Sequence, residues 1–120
     1  MINADGRGRK GLAMSVTESA VGEARVILEG VLDRETVPDI RKKLLRIARR
    51  EDLSRLAVDF SQIARLDTAG VAVMVEVLRA VSLKGSLLSV DGLSEEAKRL
   101  FRLARLEDTF RIGGEPHGGE

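Results

Sequence analysis

Apolar and small residues alternate through Leu12–Val16 near the start of the chain, and Arg25–Leu32 is rich in β-branched side chains. With Gly22 between them as a turn signal, they predict a β-hairpin. The period then changes. Val37, Ile40, Leu44, Ile47 and Ala48 recur at helical spacing, with Thr36 as the expected hydroxyl cap and Pro38 in the first turn, where its missing N–H is harmless. Asp39 near the start and Arg46, Arg49 and Arg50 near the end suit the helix dipole. Arg55–Phe60 is apolar except for its first residue and Asp59, which predicts a central strand covered on both faces, with Ser61–Leu66 leading on to the next element. In Asp67–Lys84 two periods compete. Val71, Val73, Val75 and Val77 alternate as a strand would, but the apolar stretch is too long for an ordinary strand, so it predicts a helix capped by Asp67. Ser86–Val90 predicts a short strand bounded by Gly85 and Gly92. Ser94-Glu95-Glu96 opens a third helix with Ala97, Leu100, Phe101, Ala104 and Leu106 as its apolar face, and Thr109–Ile112 is expected to pair on a sheet edge. The order strand, strand, helix, strand, helix, strand, helix predicts an α/β domain with a mixed sheet of four to five strands and right-handed crossovers.

Composition narrows the choice of function. Of 120 residues, three are Phe and none is Trp, Tyr or Cys, which describes one small domain with an aliphatic core. Seven of the 12 glycines fall in residues 1–11 or 113–120, so both ends are expected to be disordered tails around a domain at 12–112. A net charge of +1 creates no field to gather nucleic acid. The absence of Cys and the single His exclude a thiol nucleophile and a Cys- or His-built metal site, and no cofactor is expected. No apolar stretch has signal-peptide or membrane-spanning length, which points to a cytoplasmic protein that does not insert into membranes.

Several sequence features invite a chemical reading and lose it on inspection. Gly6–Gly11 matches G-x-G-x-x-G literally, but no strand precedes it and no helix follows, so a dinucleotide fold is not implied. Arg34, Arg41, Lys42, Lys43, Arg46, Arg49 and Arg50 crowd one segment, and a solvated helix face accounts for them better than nucleic-acid binding, which would want a net basic footprint. His117 sits among Gly and Glu in the tail. Asp59 and Asp67 are the carboxylates best placed for acid–base work in a small hydrolase, and the simpler account makes both of them caps for backbone amides. The informative cluster is Leu66-Asp67-Thr68-Ala69-Gly70, where a hydroxyl stands beside the first turn of a helix. Free amides there are expected to receive a phosphate on Thr68, whose roughly −1.5 to −2 charges would be presented to any partner docked on the helix end. The helix beyond it has more apolar residues than one buried face needs, so Val71, Val75 and Leu78 are expected to share in a docking surface with Asp67, Thr68, Ala69 and Gly70.

Leu28–Asp33, Leu56–Phe60, Asp67–Gly70, Gly85 and Leu103–Phe110, in that order, make the sequence over residues 12–112 resemble a STAS domain, the family named for sulfate transporters and anti-sigma factor antagonists. The resemblance implies no catalytic activity and a binding surface around the D-[ST]-x-G turn. In the antagonist type, the hydroxyl of this motif is phosphorylated by an ATP-dependent anti-sigma factor kinase, and the unmodified form binds that kinase and frees the sigma factor. Carried onto this sequence, Thr68 becomes the phosphoacceptor, Asp67 the cap and Gly70 the residue allowing close approach. Thr68 stands where Ser is usual and Ala69 where a second Ser often stands. That departure also resembles the cytoplasmic STAS subunit of Mla-type phospholipid-transport ABC systems, whose partner is the ATPase subunit.

Overall fold

The computed structural model describes residues 11–104 and the backbone of 111 and 112. The expected tails apart from Gly11, together with Leu106, Thr109 and His117, lie outside the described residues. In chain order the elements are β1 (Ala13–Ala20), β2 (Glu23–Leu32), α1 (Val37–Ala48), β3 (Arg55–Leu66), α2 (Thr68–Leu83), β4 (Leu87–Asp91), α3 (Glu95–Leu103) and β5 (Arg111–Ile112). The strands lie side by side in that same order, β1 antiparallel to β2 and every later pair parallel. A tight turn with Gly22 at φ +80° makes the first connection, a conformation that side chains with a Cβ rarely adopt. Each parallel step needs a crossover, and α1, α2 and α3 supply them.

Even-numbered strand residues face the helices. Ala24, Val26, Leu28 and Leu32 of β2, Leu56, Val58 and Phe60 of β3, and Leu88 and Val90 of β4 are buried there. Onto them pack Ile40, Leu44, Leu45, Ile47 and Ala48 of α1, Val73, Met74, Val77 and Val81 of α2, and Phe101 of α3, whose ring meets Phe60 edge-on at 6.4 Å. On the opposite face, Arg25, Ile27, Ala57, Asp59, Ser89 and Asp91 are half-buried, and no described helix covers them. The strand expected to be covered on both faces is therefore covered on one.

Three features differ from the sequence expectation, the first being that β1 runs on past Val16 to Ala20. β3 does not end at Phe60; it runs to Leu66, because its pairing with β2 slips twice, between Ile27 and Glu29 and between Gly30 and Val31. These irregularities break the period-two pattern through Ser61–Arg65, which is why that segment does not look like a strand. At the start of α1, Thr36 makes no side-chain cap. Its buried hydroxyl accepts from Asp33 N at 3.0 Å and lies 3.0 Å from the Val31 carbonyl, while Asp33 Oδ1 accepts from the amides of Glu35 and Thr36. The entry turn into α1 is thus tied by Asp33, an Asx arrangement.

α2 is the middle helix of three, with α1 on one flank and α3 on the other. That position resolves the competing periods. A helix in contact with the sheet and two neighbouring helices buries most of its circumference, so its run of valines is a core requirement and not a strand signal. β-Branched residues are middling helix formers, and burial outweighs the few tenths of a kcal/mol each costs.

Candidate functional site

Asp67 ends the long central strand and begins α2. Its backbone is extended, and its Oδ1 accepts from Ala69 N at 2.8 Å and Gly70 N at 3.3 Å. The strand is tied to the same turn from the other side, since Asp67 N donates to the Leu32 carbonyl. Two of the helix's four orphan amides are therefore satisfied by Asp67 itself. This corrects the expectation that those amides stand free to receive a phosphate. Negative charge placed on Thr68 would meet the Asp67 carboxylate and project into solvent instead.

Thr68 is exposed on the first turn, and its hydroxyl makes no hydrogen bond among the described residues. Ala69 is half-buried. Gly70 is buried, and a Cβ built there would stand 2.4 Å from Leu66 Cδ1 and 3.0 Å from Leu32 Cγ, so the helix tip approaches the ends of β2 and β3 more closely than any side chain would permit. Next to Thr68 an apolar groove of about 360 Å³ opens between α2 and α3, lined by Thr68, Val71, Ala72, Val75, Leu100, Leu103 and Ala104. Leu103 is 73% exposed and forms its outer wall. Val71 is only 5% exposed and belongs to the core, contributing the groove's floor and not accessible surface. Val75 is half-buried along the groove, and Leu78, also half-buried, lies outside its lining. The sequence pointed to α2 but missed the other wall. Leu100 entered only as part of the third helix's apolar face and Leu103 only as the start of a segment that carries the resemblance, and it is the packing of α3 beside α2 that brings them there.

Asp59 and Asp67 are not brought together. They stand eight positions apart, Asp59 within β3 and Asp67 just past its end, about 26 Å along extended chain. Asp59 Oδ1 accepts from Ser61 N at 2.8 Å, taking up an amide where the β2–β3 register is irregular, and Oδ2 receives Arg25 Nη2 at 2.8 Å. Arg25 Nη1 also reaches Asp91 at 3.1 Å. Burial acts to raise the Asp59 carboxyl, and the hydrogen bonds from Ser61 and Arg25 outweigh it, leaving the group below its ordinary range. Asp59 is thus a cap, as expected, but of an amide within β3 and not in a loop. Among the described residues no cluster of acids or His could hold a metal ion, and no helix is long and apolar enough to cross a membrane.

Residues 15–113 match the family model described as Mlab, STAS domain. The anti-sigma-B factor antagonist of Bacillus subtilis (strain 168) is 29% identical over 97 residues, covering 81% of this chain and 87% of the relative. An anti-sigma factor antagonist from Mycobacterium paratuberculosis superposes with a TM-score of 0.76 at 17% identity, over 88% of this chain and 87% of the other. The phosphorylated form of the Bacillus cell fate determinant SpoIIAA gives 0.68 at 17% identity, over 83% and 90%. These likenesses agree with the α/β order of elements described above. Matched over most of its length by the family model, the chain belongs to the STAS domain family.

Proposed function

We propose that this protein is a non-enzymatic regulatory module of the anti-sigma factor antagonist type, which docks an ATP-dependent anti-sigma kinase on the tip of α2. Thr68 is the phosphoacceptor and switch. Asp67, Ala69 and Gly70 shape the tip, and Val75 with Leu100 and Leu103 offers the apolar contact. One observation carries this reading: an exposed hydroxyl sits at the rim of an apolar groove and at a helix N-terminus where Asp67 already occupies the amides of Ala69 and Gly70. A phosphate there has no pair of local donors to fold back onto, so its charge faces whatever is docked. Reversing an occupancy from 99:1 to 1:99 takes about 5.5 kcal/mol, and like charges brought together at an interface cost several. A single modification therefore has the magnitude a switch needs. The relatives named above are antagonists, which supports this reading, and they lend none to the alternative of an accessory subunit of an Mla-type ABC system.

The test is affinity capture from the source cells with wild type, Thr68→Ala and Thr68→Glu, followed by incubation of each with the captured ATPase and labelled ATP. A kinase-type ATPase retained by wild type and Thr68→Ala but not by Thr68→Glu, with label passing to wild type alone, is the expected result. Equal retention by Thr68→Glu refutes the switch, and recovery of a transport ATPase with its permease moves the protein to the accessory-subunit class.

A further inference from the structure

A second groove, of about 320 Å³, runs between the C-terminal halves of α1 and α2 and is lined by Leu45, Arg49, Glu76, Arg79, Ala80, Leu83 and Lys84. It lies at the far end of α2 from Thr68. Along α2 its lining runs from Glu76 to Lys84, about 12–24 Å from Thr68 at 1.5 Å per residue. Its floor is apolar, with Leu45 buried beneath it, and Leu83 stands at its edge 84% exposed. Covering a leucine of that exposure takes its apolar surface out of water, which favours whatever covers it.

The rim is positive. Glu76 is the one acid in the lining, and it is already engaged, receiving Arg41 Nε at 2.6 Å and Nη2 at 2.7 Å. Its carboxyl lies below its ordinary range, chiefly through those hydrogen bonds, and the charges of Arg49 and Arg79 add to the effect. Arg50, just behind, is paired with Glu18 and Asp52. Arg49 and Arg79 are both exposed, and neither has a carboxylate within ion-pair distance among the described residues. Lys84 Nζ donates to the Arg50 carbonyl, which closes the lower end of the groove and holds a third positive charge beside the other two. Lys42 and Arg46 are exposed at i and i+4 before Arg49, near i+7, so the same sign continues along α1.

We infer that this groove is a second docking site, for an acidic amphipathic segment of a protein partner whose leucine- or methionine-type side chain covers Leu83 and whose flanking carboxylates meet Arg49, Arg79 and Lys84. The charges surround an apolar floor, which suits a peptide that is greasy in the middle and acidic at its flanks. Single-stranded nucleic acid would want aromatic platforms, and Phe60 and Phe101 are both in the core. Because the site lies at the opposite end of α2, its occupancy is independent of charge on Thr68, and the domain can hold two partners at once.

The experiment pans a phage-displayed library of random peptides on the full chain and measures the enriched peptides by fluorescence anisotropy. Arg49→Glu/Arg79→Glu, Leu83→Ser and Thr68→Glu are compared with wild type, each checked for an unchanged circular dichroism melt. The expected result is enrichment of acid-rich sequences bearing Leu or Met, with affinity at least about tenfold weaker for the first two variants and unchanged for Thr68→Glu. Amide shifts on titration should fall at Leu45, Arg49 and residues 76–84. Failure to enrich acidic peptides, or enrichment of peptides indifferent to the Arg49 and Arg79 changes, overturns the proposal. So does tight, Arg49- and Arg79-dependent binding of a DNA oligonucleotide or of phosphatidylglycerol vesicles in place of the peptides.

Discussion

Gly70 sits against Leu32 with no room for a methyl group: a Cβ on the glycine would lie 3.0 Å from the leucine Cγ, and closer still to Leu66 Cδ1. Leu32 ends β2, Leu66 ends β3, and Gly70 is in the first turn of α2, so the three residues join the tip of the helix to the end of the sheet. Gly70→Ala gains up to about 1 kcal/mol of helix propensity and loses about 1–3 kcal/mol to overpacking. The expected outcome is a net loss of stability by urea denaturation. Amide shifts should be confined to Leu32 and Leu66–Val71.

Asp67 is a cap by geometry, which separates its structural part from any part in recognition. Asp67→Ala should cost about 1 kcal/mol in the same measurement, whereas Asp67→Asn, which keeps the accepting oxygen, should cost a few tenths. Equal losses for both would mean that charge, not hydrogen bonding, holds the turn.

Replacing Thr68 with Glu places a carboxylate at an exposed first-turn position, favoured by the helix dipole and opposed by Asp67 next to it. The two effects are similar in size, so stability should change by less than about 0.5 kcal/mol. Loss of a partner in Thr68→Glu would then report on docking and not on folding, and a melting temperature equal to wild type is the check.

The Asp59 carboxyl, 15% exposed and held by Ser61 N and Arg25, titrates below its ordinary range in the folded chain. Its unfolded value is about 3.9. A depressed folded pKa gives stability that is fully present above the unfolded value and is lost as pH falls through the folded one. Wild type should therefore lose stability steadily on acidification below about pH 5. Asp59→Asn should be less stable at neutral pH and show a flatter acid slope, measured by denaturation at a series of pH values. Glu76→Gln, in a surface pair with Arg41 where both side chains are more than 40% exposed, should flatten the slope less.

The sequence by itself determined the element order, the hairpin at Gly22, the cap at Asp67 and the α/β class. These follow from local chemistry: a period of hydrophobicity, a turn residue or a short polar side chain at a helix start needs no distant partner to act. The helix-start cluster already singled out Thr68, and resemblance added the kind of partner that would modify it. Tertiary structure decided the rest, because each remaining feature depends on two segments meeting. Ser61–Leu66 is strand only because β2 pairs with it out of step, Thr36 is turned from cap to tether by the Val31 carbonyl, and Val71 is core because α2 lies between two helices. The wall that Leu100 and Leu103 add beside Thr68, and the positive rim where Arg49 at the end of α1 faces Arg79 of α2, exist only where separate helices pack side by side. A one-dimensional pattern records how apolar a helix is, but which neighbour covers each of its faces is settled by packing in three dimensions.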